Sequence, residues 1–360
     1  MDIAQKLYTA RPTVLSEDPK EHAKEIFKVG TGSSLLHCYS IVFLQERERY
    51  NRLINAIDAT LGLLIKAIQG LVLMSPELDQ MYSSLLKNRV PANWEQVSYA
   101  SLRPLASWQA DLHKRVEFMR RWATKGHPEA YWLSGLFFPH GFMTGVLQAH
   151  ARKHNKAIDF LKFRFSCMNF ALADCCTEGT SHADHPQAQS TQHKPEDGVY
   201  VYGMYLESAT WSYADNCLRE QRPGIIVEKM PVIHFLPFEV KHKVPKPFIP
   251  VTFLAAPEQE GPLDSRKTSK RGKSVYQKKQ EQQPKIQEVI VYEGEEDTDI
   301  DNPNIYQCPV YKTSERAGTL NTTGQSTNYI LSVGLPIDTK EASSEHWTLR
   351  GTAIVTMQDD

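Results

Sequence analysis

The sequence lacks the features that direct a chain into a membrane, into the secretory pathway or onto a nucleic acid. It contains no run of 18 apolar residues, and its most apolar predicted helix still carries Arg52, Asp58 and Lys66. The residues after Met1 do not form the apolar core of a secretory signal. The 41 basic residues nearly balance the 42 acidic ones, so no overall field attracts an anionic partner. We therefore expect neither a nucleic acid nor a membrane as a partner.

Cysteine is also scarce, with six residues in a chain of 360. So few cysteines, without a secretory signal, favour free thiols in a reducing compartment over a disulfide framework. A chain of this length has room for roughly two domains and a sizeable hydrophobic core.

A complete nucleotide-binding motif is missing as well. Gly272-Lys-Ser has the last three letters of a P-loop, but Lys267 replaces the glycine that the motif requires five residues earlier. Gly30-Thr-Gly-Ser-Ser has no lysine and is better explained as a turn that caps a helix. A nucleophile elbow of the form G-x-S-x-G does not occur, since Leu133-Ser-Gly fails that pattern. We predict no catalytic residue, no cofactor-binding residue and no cofactor.

The first half of the sequence has the periodicity of helices. From Tyr50 to Leu71, apolar residues recur at steps of three and four, which predicts one long amphipathic helix. Ser75 and Pro76 are typical of an N-cap and a first helical position, so a second helix should begin there. Two further helices are predicted at Leu105–Trp122 and Gly141–His154.

The second half has the pattern of short strands. Runs rich in β-branched and aromatic residues are separated by Gly, Pro, Asp and Asn, without helical periodicity between them. These runs are 158–165, 199–206, 230–236, 305–311, 329–333 and 352–356. We therefore predict an α+β fold, with an N-terminal helical part at 41–157 followed by a small antiparallel β-barrel or sandwich at 158–360.

Two polar segments interrupt the predicted β-rich part. Residues 171–196 are irregular in pattern, and residues 256–303 begin with a basic run and then turn acidic. Such a composition cannot bury enough apolar surface to offset the entropy of ordering the backbone. We expect both segments to be loops, the second of them disordered on the surface.

The first of these loops carries the residues most suggestive of a metal site. Thiolate and imidazole, the ligands that zinc prefers, are offered by Cys167, Cys175, Cys176, His182, His185 and His193. The adjacent pair Cys175-Cys176 lacks the spacing of two to four residues that structural zinc sites use, so we predict no metal ligand. A metal-dependent or hydrolytic enzyme built on residues 167–193 is the alternative.

A series of sequence blocks occurs in a distinctive order. The blocks are Leu44–Ile54, Gly70–Leu78, Ser98–Leu112, Tyr131–Lys153, Asp197–Trp211, Met230–Pro237, Tyr311–Leu331 and His346–Ala353. In order and approximate spacing they resemble the C-terminal region of axonemal dynein heavy chains, the motors of cilia and flagella. The TLNTTGQSTN form in the tail is closer to the inner-arm heavy chains of that family.

The resemblance implies a non-catalytic interaction module. In the family, this region follows the sixth module of an AAA+ ring, lies across the ring and braces it, so residues 1–40 would correspond to the end of that module or its connector. ATP hydrolysis belongs to the preceding modules and microtubule contact to a stalk between them. We expect the AAA+ ring as a partner, in cis or as a separate chain, with other axonemal dynein subunits, in the cytoplasm, cytoskeleton and ciliary axoneme. A free-standing axonemal scaffold is a second alternative.

Large aromatic residues predict where such a module would dock. Trp94, Trp108, Trp122 and the pair Tyr131-Trp132 lie close together in sequence. Because large aromatics are common interface anchors, we expect part of this set to form an exposed apolar patch. The alternative is that all of them belong to the core.

Overall fold

The computed structural model describes residues 2–15, 34–168, 194–240, 242–244, 291–293, 302–320 and 326–357. The helices of this part are α1 (Asp2–Ala10), α2 (Ser34–Ile68), α3 (Pro76–Leu86), α4 (Ala92–Glu95), α5 (Leu105–Lys125), α6 (Pro139–His154) and α7 (Ser344–Leu349). The strands are β1 (Ala130–Trp132), β2 (Leu161–Cys167), β3 (Val199–Tyr202), β4 (Tyr205–Glu207), β5 (Thr210–Ser212), β6 (Cys217–Arg219), β7 (Val227–Lys229), β8 (Ile233–Glu239), β9 (His242–Val244), β10 (Val291–Glu293), β11 (Ile305–Tyr311), β12 (Tyr329–Pro336) and β13 (Ala353–Val355). The predicted α+β class is confirmed.

Helix α2 is the predicted long amphipathic helix, although it already begins at Ser34. Its buried face includes Leu53, Leu61 and Leu64, each with no exposed surface. The helix ends at Ile68, and Gly70 follows with a φ of 76°, a conformation that a helix cannot continue through. The prediction that Leu71 belongs to the buried face is therefore wrong.

The other helix ends follow the local signals of the sequence. The Ser75 hydroxyl accepts a 3.3 Å hydrogen bond from the Leu78 N–H at the start of α3, which confirms the predicted N-cap. Helix α5 stops at Gly126, whose φ is 85°. Helix α4 was not predicted from the sequence; it has only four residues and lies between α3 and α5.

The strands form two larger sheets and two small pairs. The four-stranded sheet has the order β1-β3-β8-β2, and the five-stranded sheet has the order β12-β11-β13-β4-β7. Pairs β1–β3 and β11–β13 are parallel, so both sheets are mixed rather than purely antiparallel. Among the described strands neither sheet closes on itself, and β2 of one contacts β12 of the other. The arrangement is therefore an open sandwich and not a barrel.

One hydrophobic core continues from the helices into both larger sheets. Helix α2 packs along α6, and α6 in turn lies against β2 and β8. This packing places the C-terminal end of α6 beside the segment that leads into β3, where the pocket described below is found.

The expectation that large aromatic residues form an exposed docking patch is wrong for four of them, because they belong to this core. Trp94, Trp108, Trp122 and Tyr131 are each at most 4% exposed. Trp94 stacks on Trp108 with 5.9 Å between ring centroids, and Trp122 packs edge-on against Tyr131 at 5.3 Å. Because these side chains pack against each other inside the helical part and are buried, they cannot anchor a partner. The core alternative is the correct one for these four residues.

Buried charges join the helices to the turn before α6. The guanidinium of Arg115, 1% exposed, donates to Asp111 at 2.5 Å and to the carbonyl oxygen of Ser134. It also lies 3.7 Å from the centroid of the Tyr99 ring. The carboxylate of Glu46, equally buried, accepts backbone hydrogen bonds from the residues just before α6. Each of these buried ions therefore has hydrogen-bond partners, although the Nη2 atom of Arg115 has none among the described residues.

Candidate functional site

A cavity of about 190 Å³ opens between the end of α6 and the residues that precede β3. The α6 side of the cavity is formed by His150 and Lys153, and the opposite side by 194–199. Tyr39 and His127 are among the residues that line the remainder. Helix geometry explains the first side, because residues at successive turns of α6 project towards the same neighbour.

Four side chains meet at the mouth of this cavity. His150 and His154 lie four residues apart on α6, with ring centroids 4.3 Å from each other. The Asp197 carboxylate oxygen Oδ1 lies 2.9 Å from His154 Nε2 and 3.8 Å from His150 Nδ1. Lys153 Nζ donates to the same oxygen at 2.8 Å and to the backbone carbonyl oxygen of Glu196 at 2.7 Å. A single carboxylate oxygen thus lies within 4 Å of nitrogen atoms from His150, Lys153 and His154.

The environment shifts the pKa values of two of these groups. Burial, reinforced by the neighbouring charge of His154, lowers the pKa of His150. Burial acts to raise the pKa of Asp197, but hydrogen bonds from Lys153 and His154 outweigh it and lower that pKa. At neutral pH the site therefore holds an ionised carboxylate beside a neutral His150, whose buried Nδ1 has no hydrogen-bond partner among the described residues.

His127 occupies an aromatic cage on the inner side of the cavity. Its ring lies 5.5 Å from that of Tyr39 and 6.0 Å from that of Trp122. Its Nδ1 atom is 3.3 Å from the indole N–H of Trp122 and 3.5 Å from the hydroxyl of Tyr131. Burial, with a smaller contribution from the charge of Lys194, lowers the pKa of His127 to about 4. The ring is therefore neutral at physiological pH and acts as an acceptor within the core.

A second feature of the surface is an apolar tip between α2 and α3. We use the name apolar tip for residues 71–74, Leu-Val-Leu-Met. Leu73 is 92% exposed and Leu71 is 72% exposed, values far above those of the core residues. Four consecutive apolar residues on the surface of a protein are typical of a contact site rather than of chance exposure.

The residues considered above as metal or nucleotide sites are not among the described residues that line this cavity. Of the Cys and His residues weighed as an alternative metal site at 167–193, only Cys167 belongs to the described part, and burial raises its pKa to about 12, which disfavours the thiolate that a metal requires. The incomplete P-loop at 272–274, residues 30–33 of the expected turn, loop residues 171–193 and most of 256–303 lie outside the described residues. Cys38, Cys167, Cys217 and Cys308 are free thiols.

Sequence reasoning missed the cluster of His150, His154 and Asp197. The spacing of the two histidines was available as a signal, since residues four apart share one face of a helix. Asp197 gave no such signal, because 43 residues of sequence separate it from His154. No helix in the part of the chain that the structure describes has the length and apolar character needed to cross a membrane.

The family model for the C-terminal domain of the dynein heavy chain matches residues 2–257 and 266–356 of this α+β chain. The protein therefore belongs to the family of C-terminal domains of dynein heavy chains.

Known heavy chains are similar to most of this chain. Dynein axonemal heavy chain 6 of Homo sapiens is 32% identical over 360 residues, which cover 98% of this chain and 7% of that protein. Dynein axonemal heavy chain 1 of Rattus norvegicus is 34% identical over 318 residues, covering 88% of this chain and 5% of that protein. Dynein axonemal heavy chain 3 of Homo sapiens is 34% identical over 319 residues, covering 89% and 6%. The chain thus spans less than a tenth of the length of these relatives.

Proposed function

We propose that this chain is a non-catalytic cap on the AAA+ motor ring of an axonemal dynein heavy chain, joined to the ring in cis or bound to it as a separate chain. It would contribute to microtubule-based movement of cilia and flagella and reside in the axoneme. Family membership supports the proposal, as do the axonemal heavy chains named above, which are similar to most of this chain. Other axonemal dynein subunits are further expected partners.

The observation that carries the proposal is the apolar tip. The large aromatics of the helical part are buried, whereas Leu71 and Leu73 are exposed on the segment between α2 and α3. An apolar surface of this kind gains free energy when a partner removes it from water, by about 25 cal/mol for each Å² of apolar area. We therefore assign the ring-facing surface to the helical part, 41–157, and not to the β-rich part.

The chain itself should hydrolyse no ATP and bind no microtubule. The sequence has Lys267 where a P-loop needs glycine, and backbone N–H groups cannot cradle phosphates without that turn. The motor activity of the assembly would come from the ring, and this domain would influence it by contact.

Binding to a ring that lacks its own C-terminal domain tests the proposal. The purified chain should co-sediment with such an axonemal dynein ring and alter its ATPase rate, while showing no ATP turnover alone. Leu71→Asp combined with Leu73→Asp should abolish co-sedimentation. Leu349→Asp and Ile226→Asp are matched controls, because these residues are 84% and 81% exposed elsewhere on the surface. Equal binding by the tip variant and the controls would refute the assignment of the docking surface, and ATP turnover by the chain alone would refute its non-catalytic role.

A further inference from the structure

The cluster at the end of α6 has the composition and geometry of a metal-binding site. We propose that His150, His154 and Asp197 bind one Zn²⁺ ion through His150 Nδ1, His154 Nε2 and Asp197 Oδ1, with the fourth coordination position facing the adjoining cavity. The three ligand atoms lie within 4.8 Å of one another. The proposal concerns an activity separate from ring docking, and it does not depend on the function proposed above.

The distances fit a tetrahedral ion. Zinc binds imidazole nitrogen and carboxylate oxygen at about 2.0–2.2 Å, which places neighbouring ligand atoms about 3.3 Å apart in a tetrahedron. The two measured separations from Asp197 Oδ1, 2.9 Å to His154 and 3.8 Å to His150, lie on either side of that value. Small side-chain rotations would therefore bring all three atoms to bonding distance.

The unpaired Nδ1 nitrogen of His150 is an independent indication that this site binds a ligand. Its Nδ1 atom is buried and has no hydrogen-bond partner among the described residues, which is an unfavourable state for a buried polar group. The side chain of His150 is only 13% exposed, so bulk water does not compensate it. A metal ion would use the lone pair that the protein leaves unpaired.

Lys153 is the group that competes with the ion. Its ammonium group occupies the same carboxylate oxygen, and a cation cannot share that oxygen at close range with Zn²⁺. Lysine has three donors on a flexible stem, and Lys153 already donates to the carbonyl oxygen of Glu196. Lys153 can keep that hydrogen bond while it releases Asp197. Metal binding would then replace the ammonium group of Lys153 by Zn²⁺ as the partner of the Asp197 carboxylate.

Two nitrogens and one carboxylate select the metal. Imidazole suits Zn²⁺, Cu²⁺, Ni²⁺ and Co²⁺, whereas Mg²⁺ and Ca²⁺ prefer sites made of oxygen alone. Three protein ligands with an open fourth position are the arrangement found where zinc also binds water or a further group. Bound zinc would cross-link the last turn of α6 to the residues before β3.

Calorimetric titration of the full chain with ZnCl₂ tests the proposal. The titration uses a parent protein in which Cys175, Cys176, His182, His185 and His193 are replaced, so that these potential ligands cannot contribute. We expect one Zn²⁺ per molecule and no binding of MgCl₂. His154→Ala and His150→Ala should each weaken zinc binding at least about 100-fold. His346→Ala is the matched control, because His346 is a half-exposed histidine paired with a carboxylate, Glu220, at 2.6 Å elsewhere.

Lys153→Met separates metal binding from a purely structural ion pair. Removal of the competing cation should raise zinc affinity by about tenfold, whereas an ion pair without a metal function would show no zinc binding in any variant. Cobalt substitution gives a readout that does not depend on affinity: visible absorption bands of a tetrahedral N₂O site should appear without a thiolate charge-transfer band. Circular dichroism verifies that each variant is folded. Zinc binding that persists in the folded His150→Ala/His154→Ala double variant, or its absence from the folded parent, overturns the proposal.

Discussion

The carboxylate of Glu46, in the middle of α2, accepts a 2.5 Å hydrogen bond from the backbone N–H of Phe137, 91 residues further along the sequence. It accepts a second hydrogen bond, of 3.1 Å, from the N–H of Phe138. These N–H groups precede the first turn of α6, where a helix has no backbone acceptors of its own. One buried side chain of α2 therefore fixes where α6 begins and, through α6, where His150 and His154 lie.

Replacement of Glu46 by alanine should destabilise the protein strongly. Two backbone N–H groups would lose the buried carboxylate that accepts their hydrogen bonds, which lowers the free energy of unfolding by about 2–4 kcal/mol. Glu46→Gln should have a smaller effect, because the amide retains one acceptor oxygen. Urea unfolding measures both changes. Glu48→Ala is the control: that side chain is 76% exposed and pairs only loosely with Arg52 at 3.9 Å. Equal stability of Glu46→Ala and Glu48→Ala would contradict the capping role.

Arg115→Met should also lower the free energy of unfolding, by about 3–5 kcal/mol, the usual effect of removing one partner from a buried ion pair. The variant leaves the Ser134 carbonyl without its charged donor and the Tyr99 ring without its cation. Arg103, 3.2 Å from Asp111, would still pair with that carboxylate, so the lower end of this range is expected.

Arg115→Lys should recover little of this loss, because an ammonium group cannot reproduce the planar guanidinium contacts. Arg121→Met on the same helix is the matched control, since Arg121 is 60% exposed and its pair with Glu117 is on the surface. Thermal unfolding of the three variants gives the comparison. If Arg121→Met lowered thermal stability as much as Arg115→Met, burial of the Arg115 ion pair would not explain the effect of Arg115→Met.

The depressed pKa of His127 predicts acid sensitivity. Because its pKa is lowered from the ordinary value of 6.5 to about 4, the folded state binds fewer protons than the unfolded state between these values. The stability that the fold gains by keeping His127 neutral is therefore fully present above pH 6.5 and is lost as the pH falls towards 4. The slope from this one group should be at most about 1.4 kcal/mol for each pH unit.

His127→Gln should remove that part of the pH dependence. Glutamine does not titrate and can still accept the indole hydrogen bond of Trp122. The measurement is the free energy of unfolding from pH 7 to pH 4 in the original protein and the variant, with zinc excluded by a chelator. The titratable groups that surround the ring are Tyr39, Tyr131 and Lys194, and burial raises the pKa of both tyrosines, away from this interval. Identical slopes in the two proteins would show that His127 is not the group responsible.

Gly198 should not tolerate a side chain. Its φ is 74°, and an added Cβ would clash with the carbonyl oxygen of Phe235 in β8. Gly198→Ala should therefore destabilise the fold by more than the roughly 1–2 kcal/mol expected from positive φ alone. It should also displace Asp197 and weaken zinc binding.

Gly224→Ala is the matched control for Gly198→Ala. Gly224 has a φ of 83°, but nothing lies within 4 Å of its added Cβ. This variant isolates the effect of backbone strain from that of the clash. Unfolding free energies that fall equally in the two variants would show that the contact with β8 is unimportant.

Local signals explain which parts of the fold could be predicted from the sequence. Ser75, Pro76 and the apolar periodicity after Leu105 act within one or two helical turns, so the start of α3 and most of the extent of α5 were predicted. The short strands β1, β5, β6 and β7 were missed, because three residues carry too little pattern and their pairing depends on distant partners. The burial of Trp122 depends on contacts with Phe43 and Tyr131, which a linear pattern does not contain.

Only part of the candidate zinc site could be predicted from the sequence, because its residues are both local and distant in the chain. His150 and His154 are neighbours on one helix, and their spacing is an ordinary property of helices. Asp197 joins them because the antiparallel pairing of β3 with β8 brings the start of β3 to the end of α6. The apolar tip could not be predicted because Leu71 continues the periodicity of α2; only the helix end before it reverses the expected burial.

Strand β13 is the central strand of the five-stranded sheet, although it is the last strand in the described part of the sequence. Val310 of β11 pairs with Ile354 on one side, and Leu206 of β4 pairs with Ile354 on the other. During synthesis, β4 and β11 thus remain without their shared neighbour until residues 353–355 have left the ribosome. A stop codon shortly before residue 353 would release a polypeptide whose five-stranded sheet is divided into two, with open backbone edges that favour aggregation.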